Sequence, residues 1–127
     1  MAKILVIEDE EEICEMLGDY FHSRTDYTLR WATTAEKGLE LFMTMDPEVV
    51  LLDIRLGQGM NGLQFLEHLQ GLGLAGRAIM LTASFDDATM QKALALGASG
   101  YITKPFTLEY LENNIRRRVE SLLIAAR

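Results

Sequence analysis

The chain has 127 residues, 49% of them hydrophobic and 24% charged, which suits one domain with a sizeable core. Its net charge of −7 argues against binding to a nucleic acid backbone, which requires clustered cations. The single cysteine, Cys14, excludes an internal disulfide, and no apolar run approaches the roughly 20 residues of a membrane helix. The start leaves no room for a secretory signal, so we expect a cytoplasmic protein with neither nucleic acid nor membrane as a direct partner.

Short apolar segments alternate with longer amphipathic segments along the first half of the chain. Residues 3–7 predict a buried strand, and residues 10–21 predict a helix because their apolar side chains recur at helical spacing. Residues 27–32 predict a more polar strand, typical of a sheet edge. The second helix is predicted to begin after Thr33 or Thr34. Its inner face is predicted to contain Ala35, Gly38, Leu39, Phe42 and Met43.

The same alternation continues through the second half. Residues 48–53 are too apolar for a strand with one solvated face, and a glycine-rich loop follows over residues 57–62. The remaining predicted elements are a helix over 63–72, a strand over 77–82, a helix over 86–96, a strand over 98–102 and a helix from Thr107 to about 124. Five strand–helix units in succession predict a doubly wound α/β fold, with helices on both faces of a parallel sheet.

Polar side chains follow the predicted strands at the edge where doubly wound sheets bind ligands. The first strand leads into Glu8 and Asp9, and the third ends at Asp53. The fourth ends at Thr82, and Lys104 follows the fifth. Three carboxylates at one edge repel one another unless a cation neutralises them, and oxygen ligands without Cys or His favour Mg²⁺ or a relative such as Mn²⁺.

A phosphoryl group is the expected ligand of such a metal site. In this interpretation Asp53 is the nucleophile, Lys104 forms an ion pair with the phosphoryl group, and Thr82 donates a hydrogen bond to it. Each residue alone also has an ordinary interpretation, because a lone acid after a strand usually caps a helix and a lone lysine usually lies at the surface. Their occurrence together at four strand ends favours the functional interpretation. His22 and His68 lie within predicted helices and are interpreted as surface or packing residues.

Four segments resemble the response-regulator receiver family, and the resemblance extends over essentially the whole chain. They are ILVIEDEEEI at the start, VVLLDIRL around Asp53, MLTAS around Thr82 and GYITKPF around Lys104. The resemblance implies a flavodoxin-like (βα)5 domain over residues 1–127, with a five-stranded parallel sheet of order 2-1-3-4-5. It implies a two-component phosphorelay switch, in which Asp53 carries an aspartyl phosphate.

The resemblance also implies how the metal is held. Glu8 and Asp9 correspond to the family's acidic pair, and Asp9 and Asp53 would supply side-chain ligands to Mg²⁺. The backbone carbonyl of Arg55 would supply another ligand. Glu8 stands where aspartate is more common, so we expect it to reach the metal through water.

Further implications concern the switch and its partners. Thr82 resembles the family's switch hydroxyl, Tyr101 its switch aromatic, and the Lys104–Pro105 bond is expected to be cis. A histidine kinase or a histidine phosphotransfer protein would donate the phosphoryl group. The face formed by helix 4, strand 5 and helix 5 would then repack, change binding to a downstream protein and offer a possible homodimer contact. The chain would catalyse its own phosphorylation and slow dephosphorylation rather than act as an enzyme on other substrates.

The loop after Asp53 departs from the family pattern. Gly57 replaces the usual proline, and the best-matched glycine, Gly62, lies nine residues after the phosphoacceptor instead of eight. The loop is therefore predicted to be one residue longer and more flexible. Arg55 and Ser84 occupy the variable positions that flank the phosphoryl group in the family.

Several alternatives stay open at this stage. An aspartyl phosphohydrolase is disfavoured because Arg55 stands where such an enzyme places its general acid. A receiver-like interaction module that is never phosphorylated is a second alternative, and a flavin-binding electron carrier is a weaker third. We expect no output domain within these residues, so the chain either acts through a partner or is an excised piece of a longer regulator.

Overall fold

The computed structural model describes residues 2–24, 26–57, 59–83 and 87–125. Its centre is one sheet of five parallel strands in the order β2-β1-β3-β4-β5, which confirms the predicted topology. The strands are β1 (Ala2–Ile7), β2 (Tyr27–Ala32), β3 (Val49–Asp53), β4 (Ala78–Thr82) and β5 (Gly100–Thr103). Because β2 and β5 form the two edges, β1, β3 and β4 are covered on both sides and read as nearly continuous apolar runs.

Helices connect the strands in the predicted alternation. They are α1 (Glu11–His22), α2 (Ala35–Met45), α3 (Gly62–Gly71) and α4 (Asp87–Ala95), with a short 3₁₀ turn (Ala75–Arg77) before β4. The last helix, α5, consists of three successive stretches, Leu108–Tyr110, a π-helical Leu111–Ile115 and Arg116–Ala125. No helix in these described residues is long and apolar enough to span a membrane.

The core consists of two apolar layers, one on each face of the sheet. Alternate side chains of a strand point to opposite faces, so Leu5 and Ile7 contact α2 and α3, whereas Ile4 and Val6 contact α1 and α5. The last helix contributes Leu111, Ile115 and Val119, all fully buried, to the second layer. This agrees with the predicted fold, in which helices cover both faces of the sheet.

Three local predictions were wrong. Met43 is 68% exposed, and Met45 is buried in its place, because the inner stripe of α2 continues from Phe42 by three residues rather than one. The fifth strand begins at Gly100, since Ala98 N–H donates to the Ala93 carbonyl and closes the end of α4. Gly97, which follows α4, has a positive φ of +108°.

The third error concerns the start of α3. Gly62 is not part of the loop but the first residue of the helix, which Asn61 caps by accepting the Gln64 N–H. Gly62 N–H donates to the Ile54 carbonyl at 3.0 Å, and a Cβ at Gly62 would overlap the Asp53 carbonyl. The backbone at Gly62 thus lies so close to the backbone of Asp53 and Ile54 that only glycine fits there. The predicted start of helix 4 at residue 86 lies outside the described residues.

A matched pair of glycine substitutions tests the packing of α2 on β1. A Cβ at Gly38 would lie 2.6 Å from Ile7 Cδ1, whereas a Cβ at Gly71 would meet nothing within 4 Å. We expect Gly38→Ala to lower the free energy of unfolding by about 1–3 kcal/mol. Gly71→Ala is expected to raise it by up to about 1 kcal/mol, because alanine restricts the unfolded chain. Urea unfolding measures both, and Ile7→Val should partly rescue Gly38→Ala. Equal effects of the two glycine substitutions would contradict the packing.

Candidate functional site

The strand register places three of the predicted site residues at one edge of the sheet. Ile7 pairs with Leu52, so Glu8 and Asp53 follow at the same level on neighbouring strands. Asp53 in turn pairs with Leu81, which places Thr82 one residue further along. This register follows from the parallel sheet, whose strands all end on the same side.

Lys104 reaches the same edge from β5. Its backbone N–H donates to the Thr82 carbonyl at 2.7 Å, and its side-chain ammonium is 6% exposed. Lys104 Nζ lies 2.7 Å from Glu8 Oε1 and 3.3 Å from Asp53 Oδ2, both of them buried carboxylates. The exposed Glu10 adds a longer contact at 3.7 Å. One buried cation is therefore shared between two buried anions.

The carboxylates of Glu8 and Asp53 are held by backbone donors as well. Glu8 Oε2 accepts the Glu10 N–H at 3.0 Å, and Asp53 Oδ1 accepts the Arg55 N–H at 3.1 Å. Both oxygens of Glu8 thus have protein partners. The exposed Asp9 completes a group in which one carboxylate oxygen from each of Glu8, Asp9 and Asp53 lies within 4.8 Å of the others.

Burial and crowding shift the proton affinities of this cluster. Burial, followed by the charge of Glu8, raises the pKa of Asp53 to about 7, although Lys104 and the Arg55 N–H oppose the shift. For Lys104, burial alone would lower the pKa. Its hydrogen bond to Glu8 and the charge of Asp53 outweigh that effect and raise the pKa. The site therefore holds more negative charge than its lysine neutralises.

A divalent cation fits this charge deficit. Lys104 offsets one of the three carboxylate charges, so two remain, and the available ligand atoms are hard oxygens without sulfur or imidazole. Asp9 is exposed and can turn to an ion, whereas both oxygens of Glu8 and of Asp53 already have protein partners. An ion at Asp53 would therefore share that carboxylate with Lys104 or the Arg55 N–H. The chemistry of the donor set therefore matches Mg²⁺.

The structure also places the remaining predicted residues. Tyr101 is 36% exposed on β5, where its backbone pairs with Met80 of β4. The Arg55 side chain is exposed, and the Lys104–Pro105 bond is cis, as expected. Ser84 lies outside the described residues. His22 and His68 are exposed and do not belong to the carboxylate group.

Two contributors to the site were missed in the sequence. Glu10 was assigned only to the predicted helix over residues 10–21, yet its N–H donates to Glu8 and its carboxylate approaches Lys104. Cys14 Sγ donates to the Glu8 carbonyl at 3.3 Å, and burial together with the charge of Glu8 raises the thiol pKa to about 12. The only available signal was their position, two and six residues after Glu8 at the start of α1.

Comparison with known proteins gives a consistent result. The sequence matches the family model described as response regulator receiver domain over residues 4–116. The transcriptional regulatory protein DltR of Streptococcus agalactiae is 37% identical over 125 residues, which cover 98% of this chain and 55% of DltR. The chain spans between 25% and 55% of the length of the curated relatives it matches.

Solved structures show the same fold. The receiver domain of NtrX from Brucella abortus is 27% identical, with a TM-score of 0.79 over 92% of this chain and 98% of that one. The Francisella response regulator 1452 receiver domain has a TM-score of 0.86 and 22% identity over the full length of both chains. The second similarity concerns the fold alone.

The raised pKa of Asp53 predicts a pH-dependent loss of stability. The pKa of Asp53 is about 7 in the folded chain and about 4 in the unfolded chain. As the pH rises from about 4 to about 7, the unfolded chain loses this proton while the folded chain keeps it, so the free energy of unfolding falls. We expect Asp53→Asn to raise the free energy of unfolding by roughly 1–3 kcal/mol at pH 8 without divalent metal, and by little at pH 4. Urea unfolding across this range measures the difference. Asp19→Asn, an exposed change on α1, is the control, and a gain from Asp53→Asn that does not vary with pH would contradict the assignment.

Proposed function

This chain belongs to the response-regulator receiver family of two-component systems, and from that premise we propose that Asp53 is its phosphoacceptor. The observation that carries the proposal is the position of Asp53, a buried carboxylate at a strand end, 3.3 Å from the Lys104 ammonium. Glu8 makes the shorter contact to Lys104, at 2.7 Å, and Asp9 is exposed, which leaves Asp53 as the buried carboxylate with the looser contact to the lysine.

The proposed reaction is a phosphoryl transfer between side chains. An Asp53 carboxylate oxygen attacks the phosphorus of a phosphohistidine on a histidine kinase or phosphotransfer protein. A phosphorus–oxygen bond forms, the phosphorus–nitrogen bond breaks, and the histidine nitrogen keeps the electron pair and takes a proton. Lys104 Nζ is positioned to neutralise a phosphoryl oxygen, and the buried Thr82 to donate its hydroxyl.

The acidic group is the proposed magnesium site. Receiver domains bind Mg²⁺ at an acidic pocket, and Glu8, Asp9 and Asp53 form such a group here. When bound, Mg²⁺ would neutralise phosphoryl oxygens during transfer, and Mn²⁺ has the same ligand preference. We assign direct side-chain ligation to Asp9 and Asp53 and backbone ligation to the Arg55 carbonyl. Glu8 mainly orients Lys104, through the 2.7 Å contact.

The proposed output is a change in the face formed by α4, β5 and α5. The added phosphoryl charge would draw the Thr82 hydroxyl inward, and the half-exposed Tyr101 would follow into the vacated space. A downstream protein, or a second copy of the chain, that binds the altered face more tightly would shift the population toward it. We further propose that residues 1–127 act as one receiver domain.

Intact mass spectrometry with a small acyl phosphate and Mg²⁺ tests the phosphoacceptor. We expect one adduct of about 80 Da on the native chain. The adduct should not form when a chelator removes Mg²⁺, nor on Asp53→Asn. Asp19→Asn should retain the adduct, because that carboxylate is exposed on α1. Lys104→Ala is expected to slow adduct formation by about 10²-fold or more, since it removes the cation nearest the acceptor.

The outcomes separate the proposal from its main alternative. A folded native chain that forms no adduct with either the acyl phosphate or a phosphorylated histidine phosphotransfer protein would favour an interaction module that is never phosphorylated. An adduct that persists in Asp53→Asn would contradict the assignment of the acceptor. Peptide mapping of the native adduct then identifies the modified residue.

A further inference from the structure

In its described residues, the loop between β3 and α3 is held by its two ends, by Leu56 and by the partly buried Met60 side chain. Its two ends are fixed, because Ile54 N–H donates to the Leu81 carbonyl and Gly62 N–H donates back to the Ile54 carbonyl, both at 3.0 Å. Leu56 also anchors the first part in the core. The outer part contains Gly57 and Gly59, and glycines lose the most conformational freedom when a loop becomes ordered.

Glu36 contacts this outer part from α2. Its Oε2 accepts the Met60 backbone N–H at 2.8 Å. Among the described loop residues 56, 57, 59 and 60, this is the one hydrogen bond to another element. The hydrogen bond from Met60 is also the main reason that the pKa of Glu36 is lowered.

The contact is a close one and depends on the backbone of Gly59. Gly59 has a φ of +90°, and a Cβ there would lie 2.8 Å from Glu36 Oε2. Any other residue would strain the backbone, and its Cβ would push the Glu36 carboxylate away from the Met60 N–H. Gly57 differs, because a Cβ there would meet nothing within 4 Å. The chain thus offers one glycine that the contact requires and one that it does not.

Glu36 is itself well supported. It lies in the first turn of α2, where Thr34 caps the helix by accepting the Lys37 N–H at 3.2 Å. The close packing of Gly38 on Ile7 fixes the helix against β1. The acceptor is therefore carried by a rigid element, whereas the donor belongs to a glycine-rich loop.

The same loop begins at the proposed phosphorylation site. Arg55 N–H binds Asp53 Oδ1, and the Arg55 carbonyl is a proposed metal ligand. We propose that Glu36 is a positioning residue that holds the loop after Asp53, through the Met60 N–H, in the conformation that receives the metal and the phosphoryl group. This inference rests on the proposed function of Asp53. Its physical basis is preorganisation, since an untethered loop must be ordered when the metal binds.

Calorimetric titration with Mg²⁺ and the rate of adduct formation test the role of Glu36. We expect Glu36→Ala to weaken Mg²⁺ binding about fivefold, which is the effect of one net hydrogen bond on an equilibrium. Adduct formation at subsaturating Mg²⁺ should slow by a similar factor. Glu36→Gln keeps an acceptor oxygen and should stay within about twofold of the native chain by the same measure. Glu40→Ala, which removes only the exposed pair with Lys37, should change neither quantity.

Hydrogen exchange provides a readout that needs no metal. The Met60 amide should exchange about fivefold faster in Glu36→Ala than in the native chain, and at the native rate in Glu36→Gln. Gly59→Ala should likewise weaken Mg²⁺ binding, whereas Gly57→Ala should not. Thermal unfolding of each variant checks that the domain is intact, and a loss confined to the loop leaves the melting temperature of the sheet nearly unchanged.

The results distinguish failure of this inference from failure of the proposed function. Native Mg²⁺ affinity and adduct rate in Glu36→Ala, with Asp53 still phosphorylated, would overturn the positioning role and leave the function intact. An equal loss in Glu36→Ala and Glu36→Gln would also overturn it, because the negative charge and not the hydrogen bond would then matter. A native chain that neither binds Mg²⁺ nor accepts a phosphoryl group would overturn both, even if Met60 exchange confirms the contact.

Discussion

The buried ion pairs of Lys104 hold the functional edge of the molecule together. Its ammonium contacts Glu8 and Asp53 from a position with almost no access to water. Charges in such a place cost several kcal/mol each in lost hydration, so they persist only where hydrogen bonds and opposite charges compensate. The parallel sheet provides this compensation, because β1, β3 and β5 all end at the same edge and bring the three groups together there.

The compensation of charge at this edge is incomplete, so the stability of the site depends on what binds there. One lysine faces three carboxylates, the pKa of Asp53 is raised, and the sheet edge remains short of positive charge. A divalent cation would relieve the repulsion. The addition of a phosphoryl group would again change the charge balance around Lys104 and Thr82. The repulsion lowers the stability of the domain without a cation, and binding of a cation removes that cost. A switch between two states requires such a difference in binding free energy.

The surroundings of the edge divide into rigid and adjustable parts. β3 and β4 are buried along their whole lengths, and α2 is packed tightly on β1 through Gly38. The loop after Asp53 contains glycines and is joined to α2 through Glu36 and Met60. A buried carboxylate on a rigid strand beside an adjustable loop is an arrangement in which partners or ligands can act on the loop without disturbing the core.

The sequence by itself determined the α/β alternation and which polar residues follow the strands, namely Glu8, Asp9, Asp53, Thr82 and Lys104. Apolar periodicity and the residues after a strand are local patterns, so they can be read without the fold. Local pattern also led to errors, as at Met43, where the choice between neighbouring positions on a helix depends on what packs against them. Only the tertiary structure decided that Glu8 binds Lys104, that Glu10 and Cys14 support it, and that Glu36 reaches Met60. Those contacts join residues on different elements or fix the direction of a side chain, and their distances are set by the packing of the whole domain.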